Sequence, residues 1–296
     1  MKAVLCINLI LIVNACTSSL LAQDQPIIYI KTSIADVIDK IVILRIKQER
    51  INDPEKLHNI TIELERLSTA FETIVEPSQD LDELSCRLLE VNKNLWDLED
   101  AVRLKERQKC FDHEFVTMVN AILTNNDERA CIKRSLNLLS GSQIIEEKSY
   151  AHIKESRTIA RKPSIDESIN LIIPLSLGEL VDRITILLIK KDRITEPEKL
   201  IHVIDEYEIL YDTIEKALTS SREFDSLVNE LRDANEAMWD IQDALRAKKL
   251  AGQFDEEFIA LGRSVYYTND KRCTIKRTIN TMFGSELIEE KNYTAY

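Results

Sequence analysis

The chain has 296 residues, 44% of them hydrophobic, which is long enough for two domains that each carry a core. Its net charge of −12 argues against nucleic-acid binding, because neutralising phosphates takes a surplus of Lys and Arg. Only 5 Gly and 6 Pro occur; hairpins and bulges draw on these residues, so their scarcity predicts long helices joined by short turns.

In chain order, the first segment is "MKAVLCINLILIVNACTSSLLAQ". Lys2 precedes an apolar run from Ala3 to Val13, followed by small and polar residues up to Ala22. This layout predicts a signal peptide over residues 1–22 and export, periplasmic or secreted, with a lipoprotein-type site at Cys16 as a variant. Without cleavage the chain would remain cytoplasmic or anchored. No later segment is long and apolar enough to span a bilayer. Cys86, Cys110, Cys131 and Cys273 have no cysteine at their counterparts in the other half of the chain. They are expected to be buried small hydrophobes, with an incidental disulfide as the alternative.

Residues 29–150 align with 172–293 at a constant shift of 143, without insertion, and 47 of 122 positions are identical. The chain therefore divides into a leader, a first repeat over 28–150, a linker over 151–170 and a second repeat over 171–296. Four helices are predicted in each repeat. The first begins at Ser33 or Ser176, where Ser-x-x-Asp36 and Ser-x-x-Glu179 form capping boxes, and runs to about Arg50 or Arg193. Pro54 and Pro197 then mark the first turn of the second helix. Ser78 and Ser221 cap the third, whose apolar positions (Leu84, Leu88, Val91, Leu95, Leu98, Val102) step by 4, 3, 4, 3, 4 along one face. The fourth starts at Asp112 or Asp255, runs unbroken through "TNND", and ends before Gly141 or Gly284. These elements predict an all-α protein of two homologous antiparallel four-helix bundles in a pseudo-two-fold arrangement.

The fourth helix places Arg129 and Arg272 on its core-facing stripe, where a guanidinium needs a carboxylate partner. Candidates repeat in both halves: Asp39, Lys47 and Arg50 on helix one, and Asn92, Trp96, Asp100 and Arg103 flanking the stripe of helix three. Their counterparts are Asp182, Lys190, Arg193, Asn235, Trp239, Asp243 and Arg246. Gathered round Arg129 or Arg272, these residues make either a polar layer that fixes helix register or a site for a small anionic or sugar ligand. A site would leave the guanidiniums and indoles lining an open cavity, whereas a layer would close on them. The twin "IEEK" segments (145–148 and 288–291) are expected to be solvated and self-paired. The four scattered histidines, and the absence of HExxH, paired CxxC, a glycine-rich phosphate loop and GxSxG, support neither a metal site nor a cofactor.

The phrases "LSLGELVDRITILLIKKDRI" (175–194), "NEAMWDIQDALR" (235–246), "RSVYYTNDKR" (263–272) and "FGSELIEEKNY" (283–293) together resemble an uncharacterised bacterial family, domain of unknown function 6165. Copy one departs from this pattern at Ala35 for Gly178, Asp36 for Glu179 and "LTNND" for "YYTND". The resemblance implies a shared fold without an assigned activity, and an association with surface-polysaccharide or glycosyl-transfer systems. The function expected is a non-enzymatic binding or scaffold protein acting through a protein partner or self-association. The alternative is a small enzyme that holds an anionic substrate between helices, with chorismate mutases as the architectural analogue.

Overall fold

The computed structural model describes residues 27–142, 144, 146–147, 171–217, 221–287 and 289–290. The expected leader (1–22) and linker (151–170) lie outside the described residues. Copy one forms β1 (Ile28–Thr32), α1 (Ile34–Arg50), α2 (Pro54–Ile74), α3 (Gln79–Gln108) and α4 (His113–Ser140). Copy two repeats the order as β2 (Leu171–Leu175), α5 (Leu177–Arg193), α6 (Pro197–Ala217), α7 (Arg222–Ala251) and α8 (Glu256–Met282). The protein is thus mostly helical, and the helices begin where the caps are read in the sequence.

Ser33 Oγ accepts from the Asp36 N–H at 3.1 Å, and Ser176 does the same for Glu179 at 3.3 Å. These bonds satisfy donors that the first turn of a helix leaves open. The carboxylates of the two boxes do further work. Asp36 pairs with Lys133 at 2.7 Å and with Arg183 of copy two at 3.0 Å, while Glu179 pairs with Lys40 of copy one at 2.7 Å. Gly141 closes α4 at φ 66°, in the left-handed region. α4 runs through "TNND" for 28 residues without a break.

The strands are an addition to the expected helices. β1 and β2 pair antiparallel, Ile28 facing Leu175 and Thr32 facing Leu171, so that Ile30 and Ile173, equivalent positions of the two copies, face each other at the centre. A ribbon of two short strands is marginal alone. Here each strand packs on a helix of the opposite copy, β2 on α2 and β1 on α6. Ile30, Leu171 and Ile173 are buried in a core continuous with α1 and α5. A second core joins Val102, Phe115, Val119 and Leu123 of copy one to Leu245, Phe258 and Tyr266 of copy two. Phe115 and Phe258 are fully buried there, each contributing about 2–3 kcal/mol.

α4 and α8 meet at another pair of equivalents, Val119 and Gly262. A Cβ on Gly262 would lie 2.9 Å from a Val119 methyl, so the missing side chain permits the contact. Two expectations need correction. Cys86 is exposed, and Cys110, Cys131 and Cys273 are half-buried; all four are free thiols, not core residues, because they fall beside the apolar stripes and not on them. The second IEEK carboxylate of each copy is not solvated, whereas Glu146 and Glu289 are half-buried and pair with Lys133 and Lys276 of their own copies. Glu147 and Glu290 are only 4% and 5% exposed because each meets a side chain of the other copy. Glu147 Oε1 lies 2.9 Å from His202 Nδ1, and Asn59 Nδ2 donates to Glu290 Oε1 at 2.9 Å. Among the described residues no helix is long and apolar enough to cross a membrane.

Candidate functional site

α1 and α4 bring Asp39 and Arg129 together, with α3 supplying Asn92. Arg129 Nε donates to Asp39 Oδ1 at 2.9 Å and Nη2 to Oδ2, a bidentate pair. Asn92 Nδ2 donates to the same carboxylate at 3.0 Å. Copy two repeats the layer: Arg272 Nη2 reaches Asp182 Oδ2 at 2.9 Å, and Asn235 Nδ2 reaches Oδ1 at 2.9 Å. Burial pushes both aspartates up, but the guanidinium and its neighbouring lysine outweigh it and hold them below the usual carboxylate range. Each carboxylate is thus matched to a guanidinium at hydrogen-bond distance. Asp39, Asn92 and Arg129, with Asp182, Asn235 and Arg272, therefore form one hydrogen-bonded polar layer in each copy.

Other members of the expected constellation go elsewhere. Arg50 and Arg193 sit near the surface, paired with Asp97 and Asp240 and stacked 5.7 Å from the Trp96 and Trp239 ring centres. Asp100 is half-buried beside Trp96, and burial raises its pKa. Lys47 and Lys190 are buried. Arg103 and Arg246 do not join the Arg129 and Arg272 layers, which corrects the sequence reading. Their positions near the C-terminal ends of α3 and α7 carry them across to the opposite copy. Arg103 forks onto Asp270 at 2.9 and 2.7 Å, and Arg246 reaches Asp127 at 2.9 Å. Asp127 and Asp270 are the aspartates of "TNND" and "YTND".

Between the copies lies an open cavity of about 500 Å³. Its wall carries six cations (Arg103, Arg129, Lys133, Lys190, Arg246, Arg272) against three carboxylates (Glu99, Glu146, Asp243). Trp239, Tyr266 and Met238 add aromatic and polarisable surface, and Asn235, Gln242 and Asn269 add amides. The Arg272 Nε is buried without a hydrogen-bond partner among the described residues. Of the residues singled out in the sequence, the cavity gathers Arg103, Arg129, Lys190, Asn235, Trp239, Asp243, Arg246 and Arg272. It leaves out Asp39, Lys47, Arg50, Asn92, Trp96, Asp100, Asp182 and Arg193. Among the described residues no group of His, Cys, Asp and Glu is arranged to hold a metal ion.

Beside the cavity, the sequence reading missed a cluster on Glu106, whose side chain is fully buried. It accepts from Arg263 Nε at 2.8 Å, Arg263 Nη2 at 3.0 Å, Tyr267 Oη at 2.9 Å, Lys109 Nζ at 2.6 Å and the Tyr266 hydroxyl. At the equivalent positions copy two has Lys249, and copy one has Asn120, Leu123 and Thr124; there Lys249 Nζ donates to Thr124 Oγ1 at 2.8 Å. The available signal was divergence: a reading built on repeated residues passes over positions where the copies differ in concert.

The sequence profile of a family of unknown function, DUF6165, matches residues 28–164 and again 171–296. The chain belongs to this family and carries its domain twice in tandem. Searches of curated proteins and of solved structures returned no match.

Proposed function

We propose that the protein is a non-enzymatic binding protein, and that the cavity between the copies holds a small anionic or sugar-like anionic ligand. The observation that carries this reading is the gathering of six cations, five of them paired with carboxylates off the wall, around about 500 Å³, in a chain whose overall charge is −12. That volume falls in the range of small-molecule sites. A cationic wall in a low-dielectric cleft favours carboxylate or phosphate groups, and Trp239 offers a flat face to a sugar or ring. The same proposal takes each copy as an antiparallel four-helix bundle and the pair as a pseudo-two-fold arrangement. Its support is the reciprocity of contacts: Ile30 with Ile173, Arg103–Asp270 with Arg246–Asp127, and Asp36–Arg183 with Glu179–Lys40.

Trp239 supplies the test. In a Trp96→Phe background it is the sole indole and reports on the cavity. Titration with phosphate, citrate, sugar phosphates and neutral sugars is expected to give a saturable fluorescence change with the anions. Ala130→Phe, which puts a large side chain on the cavity wall and removes no charged group, is expected to abolish it. No saturable response across the panel, or an undiminished one in Ala130→Phe, sinks the reading.

A further inference from the structure

Two of the three cavity carboxylates, Glu99 and Asp243, are fixed on helices α3 and α7. The third, Glu146, belongs to the non-helical segment that follows α4 and crosses towards copy two. Its carboxylate lies 2.7 Å from Lys133 Nζ of its own copy and 3.8 Å from Lys190 Nζ of the other. The first contact is a charge-assisted hydrogen bond, and the second is an ion pair too long to be one. An anion thus rests between two ammonium groups from the two copies, on the wall of an open cavity. In copy two the equivalent Glu289 pairs with Lys276, but neither residue belongs to that wall.

We propose that Glu146 occupies the position of the ligand's own anionic group. A carboxylate or phosphate on the ligand takes its place between Lys133 and Lys190, and the Glu146 side chain turns out to solvent. This rests on the cavity being the ligand site. Exchange of one anion for another leaves no buried lysine without a counter-charge, so it avoids the large penalty of stranding a buried ion. Lys133 also keeps its 2.7 Å pair with Asp36 throughout, so the exchange leaves one anchor of the inter-copy network in place. Glu146 is half-buried and sits outside a helix, so its departure breaks no backbone ladder. The same carboxylate competes with every anion offered to the site and sets a threshold that weakly charged compounds do not pass.

Titration calorimetry with inorganic phosphate on the full chain tests this, with thermal melting of each variant as the control for folding. Glu146→Gln keeps the shape and removes the charge; it is expected to bind phosphate at least 10-fold tighter than the unmodified protein. Adding Lys190→Met to Glu146→Gln is expected to abolish that gain. If Glu146→Gln binds phosphate equally, more weakly or not at all, Glu146 is a structural tie and the proposal is overturned. The cavity reading is judged separately, by the Ala130→Phe comparison, so a failure of the Glu146 exchange alone is distinguished from a failure of the site.

Discussion

Four side chains donate to the Glu106 carboxylate, three of them from the opposite copy. Burial pushes its pKa up, but hydrogen bonds from Arg263, Lys109, Tyr266 and Tyr267 outweigh that and bring it down to about 2 from an ordinary 4.5. A depressed carboxylate stabilises the fold fully above its unfolded pKa and loses that contribution as pH falls through its folded one. Glu106→Gln is therefore expected to lose roughly 2–3 kcal/mol at pH 7. The difference from the unmodified protein should shrink between pH 4.5 and 2 and vanish below. Urea unfolding across that range checks this, and a difference independent of pH would refute it. Much at this scale was legible in the sequence. Arg129 lies on an apolar stripe, a buried guanidinium demands a carboxylate, and Asp39 and Asn92 recur at matching helical positions. Glu106 was not legible, because Lys249 replaces it in copy two and only the folded chain shows which helix faces it.

Among the helices, α5 approaches α8 closely, and Gly178 allows it. Its N–H donates to Asn280 Oδ1 at 2.6 Å, and a Cβ there would lie 2.4 Å from the Lys276 carbonyl oxygen. Copy one places Ala35 at the same point with its N–H 3.0 Å from Asn137 Oδ1, so the two helix pairs are spaced differently. Gly178→Ala is expected to destabilise the protein by about 1–3 kcal/mol, through a backbone contact that cannot rotate away. Chemical denaturation measures it, and a neutral result would mean that α5 moves as freely as α1. Helix ends were legible because caps are local chemistry: Ser33, Asp53, Ser78 and Asp112 each satisfy N–H groups within three residues. The strands were not, since "IYIKT" and "LIIPL" are short apolar runs with no periodicity to separate strand from helix. Each finds its partner 143 residues away.

Across the whole molecule, the copies meet at places where equivalent residues touch; Ile30 and Ile173 keep the repeat there, whereas at Val119 and Gly262 the sequence has broken it. Val119 against Gly262 is a knob against a hollow, which two identical domains could not offer each other. Gly262→Val is expected to force α4 and α8 apart, at roughly 3 kcal/mol or more, and Val119→Gly to leave a void. Exchanging both at once should recover most of the loss. A double-mutant cycle would then show a coupling on the order of 2 kcal/mol; simple additivity would mean that the two residues do not share one space. The duplication was readable from the constant shift of 143. The inter-copy cavity was not, because no repeat pattern says how its copies dock. Arg103 and Arg246 show the limit: their helix and face were clear, but their partners lie on the far copy.

The crossing of β1 and of the Glu147 segment onto copy two also sets a schedule for synthesis. When copy one leaves the ribosome, the copy-two partners of Ile30, Glu106 and Glu147 (Ile173, Arg263 and His202 among them) are not yet made. Equivalent positions are separated by 143 residues, and at about 5–20 residues per second a gap of that length takes roughly 7–30 s to translate. Through that interval the first domain has an unmatched strand edge and buried-type charges open to water. Its final form waits on α8 of the second copy, which supplies Arg263, Tyr266 and Tyr267.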